Sequence, residues 1–236
     1  MKTSTKISYV ILKYDDQTDN IYTKTSNNEH HVYEIPAFNF IQKRDAKLSD
    51  IKTYLLEKIV DFDTFIDANH IFIPFVKVSF SKDSIIYNYV AVIFESTQDA
   101  FSSLNYESWH RVKYDRQLKF WELNWGSGLT DPTDFKFPDV SVNDFVANPK
   151  NSDEITFNNV MHFIFNQTDD FPILGLMSGN QFTMKQVFHY QDLLGMETLK
   201  AGNNATFESQ YSRSIQIIDD NRLTTSYKIK NSFLQK

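Results

Sequence analysis

The sequence contains no cysteine among its 236 residues, so disulfide scaffolds and thiolate metal sites are excluded. It also lacks an apolar run long enough to cross a membrane, because a helical span needs about 20 apolar residues. The apolar stretch Ile7–Leu12 near the amino terminus is too short for a signal peptide and has no cleavage site of small residues behind it. We therefore expect a cytoplasmic protein that does not bind membranes.

Basic residues are fewer than acidic residues. The chain has 24 Lys and Arg against 30 Asp and Glu, and this net charge of −6 argues against nucleic acid as a partner of the whole surface. The charge is unevenly distributed, since residues 181–236 carry +2 and the first 180 residues carry −8. Such a difference is expected of a DNA reader attached to an acidic sensor, although a solvated surface would also produce it.

The first half of the chain combines strands with one helix. Lys6–Tyr14 is rich in β-branched residues and predicts a strand that enters a hairpin. Residues 48–62 have apolar side chains three and four positions apart, which predicts an amphipathic helix capped by Ser49 or Asp50. Two further strands are predicted at Ile71–Phe80 and Ile85–Phe94. This order predicts an α+β sandwich in which a helix packs against a sheet.

The second half has a different pattern. The loop-like composition between Gly126 and Asp153 predicts a domain edge, and we place the boundary near residue 150. Beyond it, Gly195 stands where a helix would end, and Asp219–Asn221 predicts a turn. Helices are predicted over Ile155–Phe165, Thr183–Leu194 and Asn204–Ile218, and a strand over Ser226–Leu234. Three helices and a hairpin outline a winged helix-turn-helix, although a small helical cap on the first domain explains the pattern equally well.

Two segments of the first half resemble the core of a Nudix domain. They are Tyr33-Glu34-Ile35-Pro36-Ala37-Phe38 and the helix end Tyr54-Leu55-Leu56-Glu57-Lys58-Ile59. In that family a Trp-x-Leu-Pro-Gly-Gly strand leads into a G-x5-E-x7-R-E-U-x-E-E-x-G-U helix. Here Ala37-Phe38 replaces the Gly pair, Thr53-Tyr54 replaces Arg-Glu, and Glu57 is the one acid left of the last two. Because Nudix hydrolysis needs several carboxylates to hold Mg²⁺ against a diphosphate, the resemblance implies a Nudix fold without catalysis, metal or cofactor.

The second half resembles the Nudix-related transcriptional regulators. Ile155–Asn159 is similar to the Leu-Ala-Phe-Asp-His start of their linker helix, with Asn158-Asn159 in place of Asp-His. Phe182–Gly195 is similar to their Phe-Thr-Leu-x-Glu-Leu-Gln-x-Val-Tyr-Glu-x-Ile-Leu-Gly segment. Their Asn-Phe-Arg-Arg-Lys recognition helix is echoed by Ala205–Gln210, where Glu208-Ser209-Gln210 replaces the arginine-rich turn. Those regulators repress genes of NAD metabolism and respond to ADP-ribose.

The resemblance implies a DNA-binding transcriptional regulator that works as a homodimer on a palindromic operator. Residues 1–150 would form a catalytically degenerate Nudix-like sensor for a nucleotide-type ligand such as ADP-ribose. Residues 151–236 would form a linker helix and a winged helix-turn-helix. Two alternatives stay open at this point. One is a divergent Nudix hydrolase acting on ADP-ribose or a related nucleoside diphosphate, and the other is an adaptor that kept both folds without binding DNA.

The candidate site residues follow from these segments. Short polar and basic side chains in and after the predicted recognition helix can contact base edges or phosphates, although an ordinary solvated helix face has the same composition. These candidates are Asn203, Asn204, Thr206, Ser209, Gln210, Arg213, Arg222 and Lys228. The remaining acid of the Nudix-like helix, Glu57, is the candidate ligand-binding residue. Trp109, Trp121 and Trp125 could stack on an adenine, but core packing explains such large aromatics better.

Overall fold

The computed structural model describes residues 2–26, 33–41, 47–59, 66–80, 82–96, 109–125, 134–139, 152–197, 201–221 and 224–234. The strands are β1 (Lys2–Asp15), β2 (Asn20–Lys24), β3 (Ala37–Phe40), β4 (Ile71–Phe80), β5 (Ser84–Ser96), β6 (Trp109–Asp115), β7 (Phe120–Trp125), β8 (Phe135–Pro138), β9 (Phe182–Thr183), β10 (Ile215–Asn221) and β11 (Thr224–Ile229). The helices are α1 (Leu48–Lys58), α2 (Ser152–Gln167), α3 (Met184–Leu193), α4 (Asn204–Tyr211) and α5 (Asn231–Leu234). Short 3₁₀-helices cover Ala68–His70 and Ile173–Ser178. None of the helices described is long and apolar enough to cross a membrane.

The first eight strands form one mixed sheet in the order β4-β5-β1-β2-β6-β7-β8, and β3 pairs with β1. β1 and β5 run parallel along nearly their whole length, whereas the other neighbours are antiparallel. Strands at the centre of such a sheet are covered on both faces, which favours a continuous apolar sequence. Val10, Ile11 and Leu12 of β1 are accordingly almost completely buried.

Each face of the sheet carries its own core. Because side chains alternate along a strand, Ile7 and Ile11 of β1 lie on the face covered by Ile51 and Leu55 of α1. Val10 and Leu12 point to the opposite face, where a larger cluster includes Phe157 of α2 and Leu174 in the second 3₁₀-helix. The sheet is thus sandwiched between helices. The predicted α+β sandwich is confirmed.

The amphipathic helix predicted over residues 48–62 begins where expected and ends at Lys58. Its cap differs from the prediction, because the N-cap residue is Lys47 and not Ser49 or Asp50. Asp50 lies in the first turn, where its carboxylate accepts the Lys47 backbone N–H at 2.8 Å. The side chain therefore still satisfies a donor at the helix start, but from inside the helix.

The prediction over Thr183–Leu194 is confirmed by α3. Thr183 and Gln186 form a reciprocal cap, in which Thr183 Oγ1 accepts the Gln186 N–H at 3.3 Å and Gln186 Oε1 accepts the Thr183 N–H at 2.8 Å. Gly195 follows the helix at a φ of +68°, a left-handed conformation that favours glycine. The local sequence thus sets both ends of α3.

The helix predicted over Asn204–Ile218 was wrong in its second half, because α4 ends at Tyr211 and Ile215 already belongs to β10. Asp219–Asn221, predicted as a turn, also belongs to β10. β10 pairs with β11, which in turn pairs with the short β9. The β-branched residues of β10 suit a strand, and their pairing with β11 outweighs the helical spacing.

The two halves of the chain pack directly on each other. Arg116, in the turn between β6 and β7, donates from Nε to the Gly195 carbonyl at 2.6 Å and from Nη2 to the Met196 carbonyl at 2.7 Å. The larger buried cluster continues from the sheet into α3, α4 and β11. Residues 140–151 lie outside the described part of the chain, so the boundary near residue 150 stays a prediction.

Two of the three tryptophans lie in the core, as expected. Trp109 is 2% exposed and Trp121 1% exposed. The two lie in the clusters on opposite faces of the sheet. The side chain of Trp125 is outside the described part of the structure.

Candidate nucleic-acid interface

Helix α4 is held by two aromatic side chains on its inner face. Phe207 is completely buried and packs against Phe188 of α3 and Tyr227 of β11, whose ring centroids lie 5.8 Å and 5.2 Å from its own. Tyr211 donates its O–H to the Thr168 carbonyl at 2.8 Å. Burial raises the pKa of Tyr211 to about 12, so this hydroxyl keeps its proton at neutral pH. The opposite side of α4 therefore faces solvent.

That outer side presents a row of polar side chains. Thr206, Ser209 and Gln210 are exposed, and their spacing of three and four residues places them on one side of α4, while the exposed Arg213 follows them in the chain. Arg213 lies just beyond the last turn of the helix, in the turn that leads to β10. The row and Arg213 together combine hydroxyl, carboxamide and guanidinium groups. Groups of these kinds can bind base edges and phosphates in DNA.

Both candidate asparagines have structural contacts. Asn203 is the N-cap of α4, and its Oδ1 accepts the Thr206 N–H at 2.9 Å. Asn204 donates from Nδ2 to Thr225 Oγ1 at 2.9 Å and thereby ties α4 to β11. Asn203 therefore caps the start of α4, and Asn204 attaches α4 to β11. Their contact with DNA stays a prediction.

Two hydrogen bonds around α4 could not be predicted from the sequence. Glu208, which replaces an arginine of the family pattern, accepts the Tyr227 O–H at 2.8 Å and is half-buried. Its negative charge is thus turned toward β11 and away from the polar row. Lys230 donates from Nζ to the Ser212 carbonyl at 2.7 Å, just after α4 ends. Both contacts join residues far apart in sequence, so no local signal marks them.

Lys228 does not lie beside the polar row. Thr225, Tyr227 and Ile229 of β11 are buried, with Tyr227 and Ile229 in the cluster that includes α3 and α4. Because strand side chains alternate, the exposed Lys228 faces the other side of the hairpin. There it lines a cleft toward the first half of the chain. Arg222 lies outside the described residues.

The Nudix-like helix α1 offers few groups for a metal ion. Glu57 is exposed near its end, beside Lys58. The neighbouring Tyr54 packs against Phe38 and Phe40, with ring centroids 5.7 Å and 4.8 Å away. Over the described ranges, no group of three or more acidic or histidine side chains could hold a metal ion. One carboxylate beside an ammonium group does not fit the Mg²⁺ of a Nudix hydrolase, which needs several oxygen ligands.

Comparisons with known proteins address the fold. No family model and no curated protein matches the sequence. Among solved structures, a MutT/nudix family protein from Enterococcus faecalis is similar, with a TM-score of 0.65 and 12% identity, over 98% of this chain and 89% of that one. NrtR from Shewanella oneidensis has a TM-score of 0.52 and 13% identity, over 96% and 94%. The same NrtR complexed with a 27mer DNA gives 0.51 and 14%, over 98% and 95%. The chain therefore has a Nudix-like α+β fold that it shares, along nearly its whole length, with NrtR, a Nudix-related transcriptional regulator.

Proposed function

We propose that this chain is a DNA-binding transcriptional regulator whose helix α4 enters the major groove. In this proposal α3 and α4 form a helix-turn-helix and β10 and β11 form its wing. The observation that carries the proposal is the exposed row of Thr206, Ser209 and Gln210 on a helix fixed from behind by Phe207, with Arg213 exposed just after the helix ends. The major groove admits one α-helix, and the start of such a helix with its polar face reads base edges.

Two further observations support this function. The acidic Glu208 is bound to Tyr227, so its carboxylate is directed away from the side that would approach phosphates. A solved NrtR, similar over 98% of this chain, was crystallised with a 27mer DNA. Gel-shift titration against fragments from upstream of the protein's own gene tests the proposal. If no fragment is retarded at low salt, the polar row has another use.

The first half of the chain would then be the sensor. We propose that residues 1–150 bind a nucleotide-type effector such as ADP-ribose without hydrolysing it, with Glu57 as a ligand-binding residue. Because a transcriptional regulator must reach chromosomal DNA, we propose that the protein acts in the cytoplasm. The similarity to a MutT/nudix protein favours one alternative, a divergent hydrolase of ADP-ribose or a related nucleoside diphosphate.

A turnover assay separates the sensor from the hydrolase. We expect that the purified chain with Mg²⁺ or Mn²⁺ does not cleave ADP-ribose, because Glu57 and Lys58 replace the pair of adjacent acids that hydrolysis requires. Release of AMP, followed by chromatography, is the measurement. Turnover that disappears in Glu57→Gln would establish the hydrolase, and turnover that persists in this variant would indicate a contaminating enzyme.

The active species should be a homodimer. One recognition helix makes too few phosphate contacts for tight binding at physiological salt, whereas two helices related by a two-fold axis meet both half-sites of a palindrome. Sedimentation should therefore give about twice the chain mass of 27.7 kDa. A species of the single-chain mass at high micromolar concentration, with or without an operator fragment, would contradict this expectation.

A further inference from the structure

A cleft of about 630 Å³ lies on the side of the β10–β11 hairpin that faces away from α4. One wall is the 3₁₀-helix Ala68–His70 with the preceding Asp67, and the other is the outer face of the hairpin. Gln216 and Lys228 are cross-strand neighbours on that outer face. The volume is within the range of small-molecule sites, roughly 300–1,000 Å³. Among the described residues, none of α1 and none of the polar row of α4 lines the cleft.

Carboxamide groups dominate the polar lining of the cleft. The side chains concerned are Asn69, Asn180, Gln181, Gln216 and Asn231. Within the described part of the chain, none of these carboxamides is hydrogen-bonded to another residue. A carboxamide presents a donor and an acceptor side by side, which matches the edge of a nucleobase. The cleft therefore offers several unused groups of the type that reads a base.

Apolar side chains supply the rest of the surface. Ile217 and Ile218 of β10 line the cleft with 44% and 41% of their surface exposed, and the lining also includes the almost completely buried Leu176, Phe182 and Leu234. A planar ligand gains contact area on such a surface while its edge meets the polar groups. This combination favours a flat heterocycle over a sugar or an extended peptide.

The charged groups of the cleft lie on different walls. Lys228, on the hairpin, forms no ion pair with the residues described and is exposed. Asp67, on the other wall, accepts the Asn69 N–H at 2.6 Å. Burial lowers the pKa of the neighbouring His70, so this imidazole is neutral at pH 7. The hairpin side therefore suits one phosphate group, which an ammonium binds by charge.

We propose that this cleft is a second ligand site, which takes a nucleoside monophosphate with its base among the carboxamides and its phosphate on Lys228. The ligand would touch the hairpin and the first half of the chain at the same time. Occupancy therefore holds the hairpin in one position relative to the sheet. The further consequence, a change in DNA affinity on ligand binding, rests on the proposed function, whereas ligand binding itself does not.

Calorimetric titration of the full chain without DNA tests the site. AMP, GMP, CMP and UMP are titrated in turn, and the tightest is compared with its nucleoside and with ribose 5-phosphate. We expect one bound nucleotide per chain, with each fragment weaker by about tenfold or more. Lys228→Ala should weaken the nucleotide by about tenfold but leave the nucleoside unchanged, and Gln216→Leu should weaken both. Lys185→Ala, an exposed lysine of α3 outside the cleft, is the matched control and should change nothing.

Several outcomes would overturn the proposal. The first is no saturable heat with any of the four nucleotides at millimolar concentration. The second is nucleotide binding that is weakened by Glu57→Gln and not by Lys228→Ala, because the ligand then lies at α1. If nucleotide binding follows the cleft variants but no DNA fragment is retarded, the site stands and the proposed function fails.

Discussion

Replacing Arg213 by Ala is expected to lower the affinity for an operator fragment roughly ten- to hundredfold. Arg213 is exposed just after the polar row on α4, and its guanidinium carries five N–H donors that can meet a guanine edge or a phosphate. Loss of a base contact of this kind costs about 1–3 kcal/mol of binding free energy. The measurement is a gel-shift titration of this variant and of the unaltered chain against the same DNA fragment.

The matched control is Lys82→Ala, which removes an exposed positive charge from the turn between β4 and β5 in the first half of the chain. It should leave the affinity unchanged, because a distant surface charge is screened beyond about 8–10 Å at physiological salt. Equal losses in the two variants would mean that binding depends only on overall charge. The proposed recognition role of α4 would then be wrong.

Lys228→Ala tests whether Lys228 contacts a DNA phosphate or lies in the cleft. The sequence predicts a phosphate contact, whose loss weakens binding to every sequence and lowers the salt slope by about one. The structure directs Lys228 into the cleft on the far side of the hairpin. Without ligand we therefore expect an unchanged salt slope, and a slope lower by about one would restore the phosphate contact.

The second large effect is expected on stability. Replacing Asn158 by Ala should lower the free energy of unfolding by about 2–3 kcal/mol. Asn158 is 1% exposed, and its Oδ1 accepts the indole N–H of Trp121 at 3.0 Å. Its Nδ2 donates to the carbonyls of Glu154 at 3.0 Å and Pro138 at 3.2 Å. The variant leaves the buried indole N–H of Trp121 without this acceptor and removes both tethers from α2 and β8. Urea unfolding followed by tryptophan fluorescence measures the change.

The adjacent asparagine provides the control. Asn159 is half-buried and makes no side-chain hydrogen bond with the residues described, so Asn159→Ala should change the free energy of unfolding by less than about 0.5 kcal/mol. A similar loss in both variants would show that helix α2 is merely sensitive to substitution. The contrast between the two variants tests whether Asn158 ties α2 to the sheet.

The sequence alone determined the elements whose signals are local. The amphipathic spacing of α1, the alternation and apolar runs of β1, β4 and β5, and the reciprocal cap and final glycine of α3 each lie within about fifteen residues. Helix and strand periodicity act at that range, so these elements could be predicted from the residues. That Glu57 is the one acid left of the last two in the Nudix pattern could also be read directly from the sequence.

Only the tertiary structure decided where α4 ends and which residues its outer side presents. Residues 212–218 keep a helical spacing, but Ile215 pairs with Ile229 and becomes a strand. The same long-range packing brings Asn204 and Glu208 into hydrogen bonds with β11, and it directs Lys228 toward the cleft. These outcomes depend on which face of a strand is buried, and burial is set by partners distant in sequence. The polar row and the cleft therefore exist as surfaces only in the folded chain.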